Sequence, residues 1–200
     1  MIILDIGSGN TIKNNLNIGK AMINEIAKRD TGKHPIVFKA QLFEDEPPNT
    51  PLNKVIFANL YEYARDKGYQ MTSSVFDLSS LTFLLKFDIP FVKIACRPNL
   101  YWLIGEVPRK VRVWVSVGKD PSLLPNTFGN AYWMECVPKY PAPIEEYRGI
   151  YEGISDHTVG LDLFKRLAPI VWEKHLKLES STGPDAGPFA VTPQDLEEIL

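Results

Sequence analysis

Two of the three histidines in the sequence end segments that could supply a metal site. His157 ends the run Gly-Ile-Ser-Asp-His, and His175 ends the run Ile-Val-Trp-Glu-Lys-His. Both runs are typical of β-strands. If the two strands are neighbours, about 5 Å apart, both imidazoles can reach one divalent transition-metal ion that keeps positions for water and substrate oxygens. The same spacing also allows two structural histidines that are hydrogen-bonded at strand ends.

Two lysines also end predicted strands and could bind an anion. Lys39 follows the apolar run Ile-Val-Phe, and Lys93 follows Phe-Val. Two ammonium groups near several hydroxyl groups suit a small polyanion that carries phosphate and carboxylate. For either lysine alone, a surface position with the ammonium group in solvent is the simpler interpretation. The other polar residues near strand ends are Gln41, Ser74, Ser116, Ser155, Asp156, Glu173 and Lys174.

Two carboxylates and one cysteine complete the set of reactive residues at strand ends. Asp5 and Glu135 could each act as a general acid or base, or could orient a neighbouring group. No histidine lies near Cys96 in sequence. We therefore interpret this thiol as a small residue that lines a pocket, not as a nucleophile.

Eight short, mostly apolar segments recur along the chain and are predicted to be strands. Nearly continuous apolar runs are typical of parallel strands covered on both faces. Because polar residues end these runs repeatedly, a shared polar mouth explains the pattern better than separate exits to solvent. The predicted strands are residues 2–6, 36–40, 70–74, 91–94, 111–117, 131–137, 153–157 and 170–175.

Helical periodicity separates the early strands. Apolar residues recur on one face of a predicted helix over residues 12–27 and of a second over residues 52–64. Gly68 lies where the C-cap of the second helix is expected. A third helix is predicted around residues 81–85. Near the end, Thr192 with Pro193 and Asp195 predicts the capped start of a last helix.

The length of the chain constrains how these elements combine. Eight strand–helix units typically need about 250 residues, with about 200 as the lower limit, and the chain has 200. Residues 119–130 and 138–152 have no room for a long helix. The strand count favours an α/β fold, a compact (β/α)8 TIM-type barrel with several shortened or missing helices, over an open doubly wound sheet. In such a barrel the C-terminal strand ends carry the chemistry.

The composition is that of an ordinary globular domain. Hydrophobic residues make up 44% and charged residues 23%, with a formal net charge of −2. There is no basic excess to neutralise a nucleic-acid backbone, and no apolar run approaches the ~18 residues that cross a bilayer. Two cysteines and no signal-peptide pattern predict a cytoplasmic, reduced setting. We expect neither nucleic acid nor membrane as a partner.

Taken in order, these segments resemble the N-acetylneuraminate (sialic acid) synthase family. The similarity is densest near the end, where residues 153–158 read GISDHT against the family's GLSDHT, 173–175 read EKH and 183–185 read GPD. Each motif is weak alone, but their fixed order argues against chance. The upstream matches are KAQ at 39–41 to KFQ, DIP and VKI at 88–94 to DIP…KI, SVG at 116–118 to STG, and YPAP at 140–143 to YPTP or YPAP.

The resemblance implies a transferase that condenses phosphoenolpyruvate with an N-acylated amino-sugar aldehyde, N-acetylmannosamine-like, to a nonulosonic (sialic-type) acid and phosphate. His157 and His175 match the family's manganese ligands, with magnesium or cobalt as alternatives. Asp185 matches an acid that contacts sugar hydroxyls, and Asp5 stands where the family has a glutamate, as a candidate for managing protons on the attacking water. We predict as catalytic residues Asp5, Lys39, Lys93 and Glu135, and as substrate-binding residues Lys39, Gln41, Ser74, Lys93, Cys96, Ser116, Tyr140, Ser155 and Asp185.

The sequence departs from the family pattern within this same site. Cys96 replaces a usual serine of the phosphate pocket, which exchanges a good hydrogen-bond donor for a weak one. Pro138 stands where an asparagine or serine is expected, and Gly9 and Asn10 replace an Asn-His pair. The family also carries a C-terminal antifreeze-like domain that caps a partner's site. We expect one domain over residues 1–200, with a separate antifreeze-like protein or a second copy as candidate partners.

Three functions stay open on the sequence. The leading hypothesis is a synthase that uses phosphoenolpyruvate and a sugar aldehyde. The second is a barrel that binds the metal or phosphoenolpyruvate but has lost turnover, which the changes at Cys96, Pro138 and Gly9 favour. The third is a metal-dependent aldolase or lyase that acts on another 2-keto acid.

Overall fold

The eight predicted strands form a closed parallel barrel in which each strand pairs with the next and the last pairs with the first. The computed structural model describes residues 1–119 and 129–200. The predicted (β/α)8 TIM-type barrel is confirmed, and each strand lies within two residues of its predicted ends. The strands are β1 Ile2–Gly7, β2 Ile36–Leu42, β3 Gln70–Val75, β4 Val92–Ile94, β5 Val113–Val117, β6 Ala131–Cys136, β7 Gly153–Asp156 and β8 Val171–His175.

The barrel interior has an apolar layer below and a polar layer above. The lower layer is one buried cluster formed by Ile3, Val37, Phe91, Trp114, Met134 and Val171. Side chains two residues apart on a strand share a face. The residues two positions further along therefore also point inward, and they line a cavity: Asp5, Lys39, Lys93, Ser116, Cys136 and Glu173. The apolar layer closes the bottom of the barrel, and reactive groups lie above it.

In the described part of the chain, five α-helices lie outside the barrel: α1 Gly9–Ile12, α2 Leu16–Ala27, α3 Lys54–Asp66, α4 Leu78–Leu84 and α5 Asp162–Leu167. The first predicted helix is two helices, because Lys13 and Asn14 have positive φ angles of 54° and 45° that end α1. Gly68 has a φ of 86° just after α3, as expected of a C-cap glycine. Asn53 starts α3 by accepting the backbone N–H of Val55 at 2.8 Å.

The predicted last helix is wrong in type, although its capping is correct. Thr192 and Asp195 form the expected reciprocal cap: the Thr192 N–H donates to Asp195 Oδ2 at 2.7 Å, and the Asp195 N–H donates to Thr192 Oγ1 at 3.2 Å. The segment that follows is a 3₁₀ turn, Asp195–Glu198. Two more 3₁₀ segments, Pro98–Glu106 and Ile144–Glu146, stand where longer helices would be in a larger barrel.

The connection between β5 and β6, predicted over residues 119–130, lies mostly outside the described residues. Within residues 1–119 and 129–200, no helix combines the length and the hydrophobicity needed to cross a membrane. The longest, α3, has 13 residues.

Candidate active site

A cavity of about 510 Å³ lies at the C-terminal ends of the strands. All predicted site residues but one line it: Asp5, Lys39, Gln41, Ser74, Lys93, Cys96, Ser116, Tyr140, Ser155, His157, His175 and Asp185. These side chains come from the eight strands or the loops that follow them, with Asp185 from the segment after β8. The shared polar mouth inferred from the strand ends is therefore a single cavity.

Glu135 is the exception, and its predicted place in the site is wrong. Its neighbours Met134 and Cys136 face the barrel interior, so the alternation of side chains along β6 points Glu135 outward. The buried carboxylate accepts hydrogen bonds from the backbone N–H groups of Arg148 at 2.9 Å and Gly149 at 2.7 Å. Glu135 therefore holds the segment before β7 and does not reach substrate.

Glu173 is one of the cavity residues to which the sequence analysis assigned no catalytic or binding role, although it lies near a strand end. The Ser155 hydroxyl donates to its Oε1 at 3.2 Å, and the ammonium groups of Lys93 and Lys39 lie 3.7 and 3.9 Å from the same oxygen. Among the described residues, its buried Oε2 has no hydrogen-bond partner. Because Glu173 lies two residues before His175 on β8, strand alternation puts both on the inner face, and that signal could have found it.

Lys39 is the well-compensated cation of the cavity. Its ammonium group donates to Asp5 Oδ2 at 2.7 Å and to the Ser74 hydroxyl at 2.8 Å. Burial alone would raise the pKa of Asp5, but the charges of Lys39 and His175 and the hydrogen bonds from Lys39 and the Gly7 N–H together outweigh it, and the pKa falls to about 2. Burial would lower the pKa of Lys39, yet the nearby carboxylates raise it. Both groups are therefore charged at neutral pH, and Asp5 is a weak base.

Lys93 is the poorly compensated cation. It is 1% exposed. Its ammonium group donates to the Ser116 hydroxyl at 2.7 Å and to the carbonyl of Ile94 at 3.0 Å. The carboxylate of Glu173 stays 3.7 Å away, and burial lowers the pKa of Lys93. A buried charge without a hydrogen-bonded counterion is costly, and an anion bound in the cavity would compensate it.

The two predicted metal ligands lie together, with ring centroids 5.6 Å apart. Nδ1 of His157 lies 2.9 Å from the carbonyl oxygen of Val137, so it carries the proton and Nε2 keeps its lone pair. Burial, followed by the nearby His175, lowers the pKa of His157 to about 3, so this imidazole is neutral. Nδ1 of His175 is buried without a hydrogen-bond partner among the described residues.

These imidazoles fit a divalent metal ion as part of an open site. Neutral histidine nitrogens are common ligands of transition metals, and one of the two rings has an unpartnered buried nitrogen. Within residues 1–119 and 129–200, no group of three or more His, Cys, Asp and Glu side chains could hold an ion. An ion held by His157 and His175 would therefore depend on water and substrate oxygens for its other ligands.

Aromatic rings form the wall beside the histidines. The half-exposed ring of Tyr140 stacks on His157 with centroids 4.1 Å apart, and Phe189 meets His175 edge-on at 5.0 Å. Tyr140 and Phe189 also contact each other at 5.0 Å. Phe189 comes from the segment after β8, which no strand pattern predicts. The two rings exclude water from one side of the imidazoles.

Two of the departures from the family pattern, Cys96 and Pro138, line the cavity. Cys96, Cys136 and Pro138 line the cavity side by side with Lys93 and Ser116. A hydrogen bond with Cys136 is the main cause that lowers the pKa of the Cys96 thiol, and the charge of Lys93 adds to it. Thiols are weak hydrogen-bond donors, and a proline side chain donates none.

Comparisons with known proteins agree with this geometry. An N-acetylneuraminic acid synthetase from Leptospira borgpetersenii, solved with citrate, has a TM-score of 0.77 at 21% identity over 98% of this chain and 80% of its own. A spore coat polysaccharide biosynthesis protein from Bacillus subtilis has a TM-score of 0.78 at 22% identity over 99% and 65%. Residues 33–120 match the model of the NeuB family. The chain is a NeuB-like barrel domain.

The resemblance expected from the motifs is thereby confirmed. An uncharacterized protein of Methanocaldococcus jannaschii is also similar, 26% identical over 226 residues that cover 92% of this chain and 65% of that protein. The NeuB-like barrel thus spans about two thirds of the length of this relative and of the Bacillus protein. At 21–22% identity, the solved structures establish the fold.

Proposed function

We propose that this NeuB-like barrel is a synthase that condenses phosphoenolpyruvate with an N-acylated amino-sugar aldehyde, N-acetylmannosamine-like, and releases phosphate. The observation that carries the proposal is the environment of Lys93. Among the residues that the structure describes, this buried ammonium group has a hydroxyl but no carboxylate within hydrogen-bond distance, and it faces a cavity of about 510 Å³. A small dianion in that cavity would supply the missing countercharge.

The polar layer suits the two charged ends of phosphoenolpyruvate. Lys39 and Lys93 both lie within 4 Å of Glu173 Oε1, so the two ammonium groups flank one region of the cavity. Hydroxyl groups of Ser74, Ser116 and Ser155 surround it, and the first two accept hydrogen bonds from the lysines. The Leptospira relative was solved with citrate, a small polycarboxylate, which agrees with an anion site in a barrel of this kind.

His157 and His175 would hold a divalent cation, manganese by the family resemblance, beside this anion site. When bound, such an ion supplies Lewis-acid polarisation of the aldehyde oxygen. Gln41 and Asp185 are hydrogen-bonded to each other at 3.2 Å on the same side of the cavity, where they can meet sugar hydroxyls. Tyr140 and Phe189 can cover the sugar from the solvent side.

The proposed reaction forms one carbon–carbon bond. C3 of phosphoenolpyruvate bonds to the aldehyde carbon, whose oxygen takes up a proton. Water adds at C2 and gives up one proton. The bond between C2 and the phosphate oxygen then breaks, the proton of the new hydroxyl leaves with the phosphate, and a 2-keto acid remains. The charges of Lys39 and Lys93 stabilise the phosphate as it leaves. Because the pKa of Asp5 is about 2, this carboxylate is a weak acceptor for the proton that the attacking water gives up. Its main role is to orient Lys39.

One alternative has an observation in its favour. Cys96, Cys136 and Pro138 leave part of the wall beside Lys93 with weak hydrogen-bond donors. A barrel with this wall could bind phosphoenolpyruvate without turning it over. That outcome is distinguishable, because binding and phosphate release are measured separately.

The test is phosphate release from phosphoenolpyruvate in the presence of manganese and a panel of aldehydes that includes N-acetylmannosamine. We expect release that depends on both the aldehyde and the metal. His157→Ala and His175→Ala should each abolish the metal-dependent rate with the barrel still folded, whereas His34→Ala, outside the cavity, should not. Binding of phosphoenolpyruvate without release would support the non-catalytic barrel, and condensation of pyruvate without phosphate would support an aldolase.

A further inference from the structure

Arg97 brings an additional cationic group to the cavity, at its rim. It lies four residues beyond Lys93, in the segment after β4, and lines the cavity together with Phe76 and Asn49. Its side chain is 45% exposed, whereas that of Lys93 is 2% exposed. The two cations therefore lie at different depths: Lys93 inside the barrel and Arg97 where the cavity opens to solvent.

The guanidinium group of Arg97 is held on two sides. Its Cζ lies 5.1 Å from the centroid of the Phe76 ring, and its Nη1 donates to Glu46 Oε2 at 2.7 Å. The loop that carries Glu46 is closed by a 2.7 Å hydrogen bond from the backbone N–H of Asn49 to the Glu46 carbonyl. Stacking and ion pairing together restrict the guanidinium group in advance of any ligand.

Most of the hydrogen-bonding capacity of Arg97 is left over. A guanidinium group carries five N–H donors in a planar fork that matches phosphate and carboxylate oxygens. Within residues 1–119 and 129–200, the side chain of Arg97 makes one hydrogen bond, the one to Glu46. Glu46 itself does not line the cavity. The carboxylate therefore fixes the guanidinium from behind and leaves its other donors for an anion at the rim.

We propose that Arg97 binds an anionic oxygen group of a substrate, a phosphate or a carboxylate, at the mouth of the cavity. This inference rests on the proposed function and narrows its substrate class. Two sources can supply the group: an acidic substituent on the acceptor sugar, or the phosphate of phosphoenolpyruvate. Lys93 lies deeper in the cavity and is assigned to phosphoenolpyruvate. A second anion site at the rim therefore indicates that the barrel recognises an acceptor sugar with an acidic substituent.

Arg112 provides a matched control on the same molecule. Its guanidinium group also stacks on an aromatic ring, with Cζ 5.1 Å from the centroid of Tyr132. It directly precedes β5 and does not line the cavity. Arg97→Gln and Arg112→Gln therefore remove the same charge from the same kind of stacked setting, but only the first removes it from the cavity rim.

The experiment is titration calorimetry on the full chain with phosphoenolpyruvate, inorganic phosphate, N-acetylmannosamine and N-acetylmannosamine 6-phosphate. Arg97→Gln should weaken at least one anionic ligand by about tenfold or more and leave the uncharged sugar unchanged. A loss confined to the sugar phosphate assigns the site to the acceptor, and a loss for phosphoenolpyruvate assigns it to that substrate. Arg112→Gln should bind every ligand like the wild type.

A second pair of variants separates charge from folding. Glu46→Gln removes the competing carboxylate but not the guanidinium, so it should bind the same anion as tightly as the wild type or more tightly. Arg97→Lys keeps a charge without the fork and should lie between wild type and Arg97→Gln. Unchanged affinity of Arg97→Gln for all three anionic ligands would overturn the inference. Because binding needs no turnover, that result is distinct from an absence of phosphate release, which would count against the proposed function.

Discussion

Strand β8 carries two buried ionic groups on opposite faces, and their surroundings differ sharply. On the outer face, Lys174 pairs with Asp156 at 3.1 Å, and both side chains are fully buried. On the inner face, Glu173 lies 3.7 Å from Lys93, and both side chains are also buried. The outer pair is complete in its hydrogen bonds. The inner pair is not, because Glu173 Oε2 has no partner among the described residues.

The outer pair satisfies each of its charged atoms within the protein. Asp156 accepts the Thr158 backbone N–H at 2.7 Å and the Trp172 indole N–H at 2.9 Å. Lys174 donates to the carbonyl of Thr158 at 2.7 Å. A buried network with all its partners rigidifies the fold, whereas an incomplete one is costly unless something else completes it. The comparison therefore separates a fully hydrogen-bonded structural ion pair from an incompletely hydrogen-bonded pair that lines the cavity.

The outer pair also affects the residues of the inner face, because the register of β7 and β8 places it directly before the two histidines. Asp156 and Lys174 are paired neighbours on β7 and β8, and His157 and His175 follow them directly in sequence. Side chains alternate along a strand, so a pair locked outside sets the inward direction of the next residue on each strand. We infer that this ion pair helps to hold the two imidazoles at a fixed separation.

The largest expected effect is on the inner face. Lys93→Met should weaken phosphoenolpyruvate binding by about 10²–10³-fold, because it removes the buried charge that a bound anion would meet. The free energy of unfolding should stay equal or rise, since a poorly compensated charge is lost. Calorimetry and urea denaturation measure the two quantities. Strong destabilisation with unchanged phosphoenolpyruvate affinity would show that Lys93 is a structural residue and not a binding residue.

The next effect concerns the outer pair. Asp156→Ala should lower the free energy of unfolding by about 3–5 kcal/mol, because it leaves Lys174 buried without a counterion. The double variant Asp156→Ala with Lys174→Met should recover part of that loss. Urea denaturation of the two variants decides the matter. If the single and the double variant are equally destabilised, the unpaired charge of Lys174 is not the cause of the lost stability.

Glu135 should behave like the outer pair although it was predicted to be catalytic. Glu135→Gln should lower the free energy of unfolding by about 1–3 kcal/mol, since three backbone N–H groups lose a charged acceptor. The rate of phosphate release per folded molecule should match the wild type. A loss of turnover in a variant of unchanged stability would restore Glu135 to the catalytic set.

The smallest effect tests the inner face again. Ser155→Ala removes the hydroxyl that donates to Glu173 Oε1 at 3.2 Å and that faces the proposed anion site. We expect phosphoenolpyruvate affinity to fall by about fivefold, as for one hydrogen bond, with little change in stability. Calorimetry with Ser73→Ala, whose hydroxyl bonds the backbone outside the cavity, gives the matched comparison. Equal losses in both variants would show that the hydroxyl acts through packing.

The number of strands and the polar residues at their ends were predictable, because parallel strands in a barrel have a simple sequence pattern. Apolar runs must be buried on both sides, and a barrel brings their C-terminal ends to one face. This logic correctly placed Lys39, Lys93, His157 and His175 in one cavity. Applied only to strand ends and not to strand faces, it put Glu135 in the site and left Glu173 out.

The sequence by itself determined the barrel, its order of strands and most residues of its mouth, because local hydrophobic patterns and motif order encode those features. The tertiary structure alone decided which buried charges are compensated: Lys39 by Asp5, Lys174 by Asp156, and Lys93 only in part. It also brought Arg97 and Phe189 to the cavity from irregular segments. Distances between groups far apart in the chain depend on packing, and no local pattern records them.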